Sequence, residues 1–147
     1  MKAIITVGIS GSGKTTWANQ QKDYVVISRD DLRKEVLEKE LGHPIPEKDL
    51  FKLWDFEKEP LINRMQFSLF TKCAKEKKNV IVADTNITKK FRDKVVEQLE
   101  QLGYTTELKV LHIDVEEAIK RDKNRPVNVG EKIIRNQYNS LKSQNLK

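Results

Sequence analysis

Three short stretches of the sequence carry side chains that could bind and transfer a phosphate group. The first is Gly8-Ile-Ser-Gly-Ser-Gly-Lys-Thr15, which fits the pattern G-x-x-x-x-G-K-[ST] at every fixed position. The second is Ser28-Arg-Asp-Asp-Leu-Arg33, and the third is Asp84-Thr-Asn86. Each stretch directly follows or closes an apolar run typical of a buried strand. The three stretches are therefore candidates for parts of a single site.

The glycine-rich stretch is typical of a loop that binds a polyphosphate. Its glycines permit a tight turn, so that backbone N–H groups point at one anion at a helix N-terminus. Lys14 would supply a cation to the β- and γ-phosphates, and the Thr15 hydroxyl would ligate Mg²⁺. The glycine-rich turn of a dinucleotide-binding fold would not require Lys-Thr here, so the pattern favours a nucleoside triphosphate such as ATP. We expect the nucleotide to contact Gly8, Ser10, Gly11, Ser12, Gly13, Lys14, Thr15 and Thr16.

The second stretch joins a carboxylate to an arginine at the start of a predicted helix. Asp30 and Arg33 are three residues apart, so both side chains can project from one face of the first turn. Beside a phosphate-binding loop this pair suits a phosphate-bearing acceptor, with the carboxylate as base and the arginine as anion clamp. Asp31 could instead serve only to cap the helix and complement its dipole.

Further along the chain, one carboxylate and two arginines are candidates for the same site. Asp84 closes an apolar strand, where a Walker-B carboxylate would organise the Mg²⁺ shell, although it could also cap a helix or turn. Arg121 and Arg125 lie one helical turn apart on the predicted helix that stops before Pro126, so they are expected to share a face. They could close over the transferring phosphate as a lid, or they could simply be solvated.

The hydrophobic pattern predicts strands and helices in alternation, which indicates an α/β domain with a parallel sheet. Strands are predicted near residues 3–7, 24–28, 79–84 and 104–113. Residues from about 50 to 78 read mostly as helix, and a helix capped by Thr88 ends at Gly103. Asp114 would cap a helix that stops before Pro126, and Asn128 would open the last helix. One helix would bury a stripe formed by Leu61, Met65, Leu69 and Cys73, with Ile62 and Phe70 beside it.

Composition limits the class of protein. The 147 residues carry a formal net charge of +6 and contain one cysteine. Residues 116–147 hold eight Lys or Arg against four Asp or Glu, a basic segment that fits either a polyanion partner or a solvated surface. No apolar stretch approaches the ~18 residues of a membrane span, and the chain starts with a strand and no signal peptide. We therefore expect a cytoplasmic protein with no membrane contact.

Taken together, the motifs resemble those of a known family. The glycine-rich loop with Lys14-Thr-Thr-Trp17, the Ser-Arg-Asp-Asp-x-Arg block, Asp84-Thr-Asn86 and Arg121-x3-Arg125 look like the kinase domain of the bacteriophage 5′-hydroxyl polynucleotide kinase. The match runs from residue 1 to about residue 142. It implies a three-layer P-loop kinase fold with a four-stranded parallel sheet. It also implies a partner, the 5′-hydroxyl end of DNA or RNA. If a phage encodes the protein, the resemblance further implies that the protein is located in the cytoplasm of a bacterial host.

The resemblance also implies roles for individual residues. Asp30 would be the general base on the 5′-hydroxyl, and Arg33 would clamp the 3′-phosphate of the acceptor nucleotide. Lys14, Thr15 and Arg125 would act on the donor phosphates with help from Arg121, which makes Lys14, Asp30 and Arg125 the catalytic set. The acceptor side or the metal would be held by Asp84, Thr85 and Asn86.

One departure from the family restricts these expectations. The phage enzyme has a second, 3′-phosphatase domain with an Asp-x-Asp-x-Thr motif, and this sequence has no such motif. We expect a single kinase domain over residues 1–147, either standing alone or cut from a longer chain, and its oligomeric state stays open. A kinase for nucleosides or other small molecules is a second interpretation. A nucleotide-controlled binding switch is a third, which the absence of a guanine-binding Asn-Lys-x-Asp motif disfavours.

Overall fold

A computed structural model describes residues 1–125 and 128–146 of the chain. Over these residues the chain forms four β-strands and seven α-helices. The strands are β1 (Lys2–Val7), β2 (Tyr24–Ile27), β3 (Asn79–Val82) and β4 (Thr105–Val110). The helices are α1 (Lys14–Asn19), α2 (Arg29–Leu41), α3 (Leu50–Leu53), α4 (Glu59–Lys75), α5 (Lys89–Gln101), α6 (Val115–Lys123) and α7 (Glu131–Ser143). The alternation expected from the sequence is confirmed.

The four strands form one parallel sheet in the order β2-β3-β1-β4. Alternate residues of β1 point to opposite faces of the sheet. Ala3 and Ile5 pack with residues of α4 and α5, whereas Ile4 packs with Ala18 of α1. Helices therefore cover both faces, and the predicted three-layer α/β fold with a four-stranded parallel sheet is confirmed.

Helix α4 is rotated relative to the prediction from its hydrophobic pattern. The residues it buries are Ile62, Gln66, Phe70 and Cys73. Ile62, Phe70 and Cys73, all named in the prediction, are buried as expected. Leu61, Met65 and Leu69, which were expected to form the centre of the stripe, are only partly buried and pack against the core from its margin. The polar Gln66 occupies a central position of the buried face because its side chain has partners there. A pattern of apolar residues alone could not indicate this.

Two boundaries near the C-terminal helices also differ from the prediction. Helix α6 ends at Lys123, so Arg125 lies beyond the helix and does not continue the face that carries Arg121. The residue before α7 is Gly130, with φ of +104°, and Asn128 does not cap that helix. A positive φ of this kind favours glycine, which explains the choice of cap. Pro126, the predicted stop signal, lies outside the described residues.

The caps predicted at two other helices lie at the expected positions. Thr88 is the N-cap residue of α5, although its side chain makes no capping hydrogen bond. At α6 the Asp114 side chain accepts a hydrogen bond from the Glu117 N–H at 3.3 Å. Among the helices within residues 1–125 and 128–146, none combines the length and apolarity needed to cross a bilayer.

We expect Phe70→Ala to lower the free energy of unfolding by about 3–5 kcal/mol, because Phe70 is fully buried between α4 and the sheet. Phe67 lies on the same helix and is 40% exposed, so Phe67→Ala should cost less than about 1 kcal/mol. Urea denaturation of both variants measures the difference. Equal losses would show that the buried face of α4 is assigned incorrectly.

Candidate active site

The loop between β1 and α1 is shaped by its glycines. Gly11 and Gly13 have φ of +84° and +92°, a region that side chains other than glycine rarely adopt. At Gly8 a Cβ atom would come within 2.6 Å of the Ser12 hydroxyl oxygen and 3.2 Å of the Leu111 carbonyl oxygen. The loop therefore turns tightly against the end of β4 and delivers Lys14 to the first position of α1.

A cavity of about 790 Å³ opens beside this loop at the carboxyl ends of the strands. Cavities that bind small molecules have volumes of about 300–1,000 Å³, so this one is at the large end of the range. All three predicted stretches contribute to its wall. The predicted site residues on the wall are Ser10, Gly11, Gly13, Lys14, Thr15, Thr16, Asp30, Arg33, Asp84, Thr85, Arg121 and Arg125.

The ammonium group of Lys14 reaches back from the start of α1 into the loop, where it is poorly solvated. Its Nζ donates to the Ile9 carbonyl oxygen at 2.8 Å. Burial lowers the pKa of Lys14 to about 8, an effect that the negative charge of Asp84 partly offsets. An anion in the cavity would stabilise the charged ammonium further, since an opposite charge within a few ångströms favours the ionised form.

Asp84 joins the end of β3 to the start of α2. Its Oδ1 accepts a hydrogen bond from the backbone N–H of Arg29 at 2.9 Å, and its Oδ2 accepts one from Gln66 at 3.5 Å. Burial raises the pKa of Asp84 to about 6, although the hydrogen bond from Arg29 acts in the opposite direction. The carboxylate is therefore fixed in orientation and poorly solvated, as is expected of a group that binds a cation or a polar ligand.

Asp30 and Arg33 form the ion pair that their spacing predicts. The Arg33 guanidinium donates to Asp30 Oδ1 at 2.6 Å. It also donates to both carboxylate oxygens of Glu59, on helix α4. Burial opposes the charged guanidinium, but the bonds to Glu59 and Asp30 outweigh it and raise the pKa of Arg33. Arg33 is thus held from two sides while it lines the cavity.

The Glu59 carboxylate is a hub that the sequence did not reveal. Besides Arg33, it accepts hydrogen bonds from Arg29 at 3.3 Å and from the Trp54 indole at 3.0 Å. Arg29 is 8% exposed and also donates to Gln66. Glu59 lies 26 residues from Arg33, so no local spacing could indicate the contact. The network fixes the residues behind the part of the cavity wall that carries Asp30 and Arg33.

The two arginines of the predicted lid reach the cavity by different routes. Arg121 lies on α6 and donates to the carbonyl oxygen of Gly11 at 3.1 Å. Arg125 follows the end of that helix. Nearby, the buried Asp122 accepts hydrogen bonds from the N–H groups of Val129 and Gly130 at 2.8 and 2.9 Å. These bonds tie the start of α7 to the end of α6.

Helix α7 closes the site from the C-terminal part of the chain. The Gln137 side-chain oxygen accepts a hydrogen bond from the N–H of Ser10, at 2.9 Å. The Gln137 amide oxygen therefore binds a backbone N–H of the glycine-rich loop to which an oxygen atom of a ligand could also bind. Gln137 could not be predicted from the sequence, because only the fold brings it next to residue 10.

Three of the predicted site residues are not on the cavity wall. Gly8 and Ser12 approach each other within the loop, and the Ser12 N–H donates to the Ile9 carbonyl oxygen. Asn86 is 4% exposed, and its amide donates to the Thr6 carbonyl oxygen at 2.9 Å. These residues lie behind the wall of the site, where the Asn86 amide nitrogen is bonded within the protein but its buried side-chain oxygen has no hydrogen-bond partner among the described residues.

Oxygen donors suited to Mg²⁺ are present in the cavity. The Thr15 hydroxyl and the Asp84 carboxylate both belong to its wall. Mg²⁺ is usually held by one or two protein oxygens together with water and substrate phosphates. Across the described residues, no group of three or more His, Cys, Asp or Glu could hold a metal by itself.

Comparison with known proteins identifies relatives among polynucleotide kinases and RNA repair proteins. A protein of Autographa californica nuclear polyhedrosis virus described as a putative bifunctional polynucleotide kinase/RNA ligase is 30% identical over 126 residues, covering 83% of this chain and 18% of that protein. The structure of the Pnkp1/Rnl/Hen1 RNA repair complex contains a chain that superposes with a TM-score of 0.76 at 22% identity, over 99% of this chain and 46% of that one. A second Pnkp1/Rnl/Hen1 structure gives 0.62 at 27% identity, over 82% and 38%.

The chain thus spans less than half the length of these relatives. The resemblance to polynucleotide kinases that the motifs predicted is confirmed by the same comparisons. The family model described as AAA domain matches residues 4–144, nearly the whole chain, and the protein therefore belongs to that family.

Proposed function

We propose that this protein is an ATP-dependent kinase that transfers the γ-phosphate of ATP to the 5′-hydroxyl end of DNA or RNA. The observation that carries the proposal is the Asp30–Arg33 pair, at 2.6 Å, in the same cavity as Lys14 and the glycine-rich loop. A donor site and a carboxylate–arginine pair on one cavity are what phosphoryl transfer to a phosphate-bearing acceptor requires. The names of the viral relative and of the RNA repair complexes support the choice of acceptor.

On the donor side, the loop and the basic residues hold the triphosphate. Backbone N–H groups of the loop bind phosphate oxygens, and Lys14 neutralises charge on the β- and γ-phosphates. Arg125 and Arg121 lie on the same wall and stabilise charge on the transferring group. When Mg²⁺ is bound by Thr15 and Asp84, it supplies further charge neutralisation at the phosphates.

On the acceptor side, Asp30 orients the 5′-hydroxyl and accepts its proton. The 5′-oxygen forms a bond to the γ-phosphorus while the bond from that phosphorus to the β–γ bridging oxygen breaks, and ADP leaves. Arg33 binds the phosphate on the 3′ side of the acceptor nucleotide. Glu59 keeps Arg33 in place, so the clamp does not have to be ordered when the acceptor binds.

The test is transfer of labelled γ-phosphate from ATP to an oligonucleotide with a 5′-hydroxyl end. Labelled oligonucleotide, and none when the 5′ end already carries a phosphate, is the result we expect. Label found only on free nucleosides or sugars would assign the protein to the small-molecule kinases. Release of phosphate to water with no acceptor labelled would favour a nucleotide-controlled switch.

Asp30→Asn should lower the maximal rate by about 10²–10⁴, because asparagine can hold the hydroxyl but cannot accept its proton. The affinity for ATP should stay within a few-fold of the unaltered protein. Asp31→Asn is the matched control, since Asp31 is the next residue of α2 and is not part of the cavity wall. Steady-state rates at saturating ATP and oligonucleotide measure both. If the Asp31 variant is the inactive one, the base has been assigned to the wrong carboxylate.

Arg33→Ala should raise the KM for acceptors with a 3′-phosphate by about ten- to a hundredfold, since a hydrogen bond to a charged group contributes about 1.5–3 kcal/mol. Acceptors without that phosphate should be affected less, and the KM for ATP should change little. Arg135→Ala serves as the control, because Arg135 pairs with Glu116 and Glu131 outside the cavity. Equal effects of Arg33→Ala on both acceptors would place its contact elsewhere on the substrate.

A further inference from the structure

Two phenylalanines are exposed on the cavity wall next to the acceptor residues. Phe51 lies on the short helix α3, and Phe56 begins the 3₁₀ turn Phe56–Lys58 that precedes α4. Phe51 is 36% exposed and Phe56 is 59% exposed. Both line the cavity together with Asp30 and Arg33. The proposed function gives neither ring a role.

The exposure of these rings does not come from a loosely packed segment. Leu50 and Trp54, which belong to the same short segment, residues 50–56, are 3% and 5% exposed. They belong to a core cluster with Leu32 and Ile62, from α2 and α4. The segment is thus fixed to the core by two of its apolar residues while it turns two others into the cavity.

This aromatic segment is also connected to the acceptor clamp. The Trp54 indole donates to Glu59, the same carboxylate that holds the Arg33 guanidinium. The position of the phenyl rings and the position of the clamp therefore depend on one side chain. An acceptor whose phosphate binds Arg33 would have these two rings available on the wall of the same cavity.

We propose that Phe51 and Phe56 form a stacking platform for the bases at the 5′ end of the acceptor strand. The inference rests on the proposed function and specifies how the site binds a polymer end. Aromatic side chains bind single-stranded nucleic acid by stacking on bases, and they do so for every base because each has a π-face. The platform would give affinity for the first two nucleotides without a sequence preference. It would also favour an oligonucleotide over a sugar that has no base.

The experiment compares acceptors that have all their bases with acceptors that lack one. Three oligonucleotides with a 5′-hydroxyl are used: one intact, one abasic at the first nucleotide and one abasic at the second. Phe51→Ala and Phe56→Ala are each expected to raise the KM for the intact strand about tenfold and to leave the maximal rate unchanged. On the strand that lacks its stacking partner, each variant should match the unaltered protein.

Matched variants separate stacking from a loss of structure. Phe67→Ala removes a phenyl ring of similar exposure, 40%, that lies outside this cavity, and it should change no KM. Phe56→Tyr should retain the affinity because it keeps an aromatic face, whereas Phe56→Leu should not. Thermal melting of each variant checks that the fold is intact.

Two results would overturn the platform. One is an unchanged KM for the intact strand in both alanine variants. The other is a raised KM that persists equally on both abasic strands, which would mean that the rings do not contact bases. Failure of the proposed function itself looks different, because the unaltered protein would then transfer no phosphate to any of the three strands.

Discussion

The site depends on the hydrogen bonds that hold the carboxyl ends of β1 and β3 together. The Thr6 hydroxyl donates to the carbonyl oxygen of Asp84 at 2.8 Å, and the Asn86 amide donates back to the carbonyl oxygen of Thr6 at 2.9 Å. The Gly8 N–H donates to the Thr85 carbonyl oxygen at 3.0 Å. The glycine-rich loop follows one of these strands and Asp84 follows the other, so the bonds set the distance between the loop and the Asp84 carboxylate. A small error in such a distance is costly for transfer between two bound substrates.

The second constraint is the cost of removing charge from water. Glu59, Arg29 and Arg33 are partly or largely buried, and they are stable there because each has hydrogen-bonding partners of opposite charge. Removing one partner of such a set leaves an unpaired charge, whereas the complete set is rigid. Rigidity is useful at this place, since an arginine that is already held in position loses less freedom when it binds a ligand. The network thus serves the site more than it serves overall stability.

The parts of the structure that short sequence patterns could predict are those whose causes are local. The glycine-rich loop needs Gly13 for its backbone conformation, and the buried strands need apolar residues on both faces. The prediction failed where a distant residue is the cause. Gln66 is buried because Asp84 and Arg29 bind it, and Glu59 matters because Arg33 and Trp54 reach it. Hydrophobic periodicity contains no information about such polar partners, so the register of α4 and the residues behind the site became visible only in three dimensions.

The contact between Gln137 and Ser10 has a consequence for how the protein matures on the ribosome. It joins residues 127 positions apart, and the central strand β1 likewise pairs with two strands that follow it by about 80 and 100 positions. Synthesis proceeds at about 5–20 residues per second, so the glycine-rich loop waits several seconds before its partners exist. During that time the nascent β1 has two edges of unpaired backbone N–H and C=O groups and apolar side chains on both faces. Both edges of β1 can therefore be paired only after β4 has been synthesised, and the glycine-rich loop gains its contact with Gln137 later still.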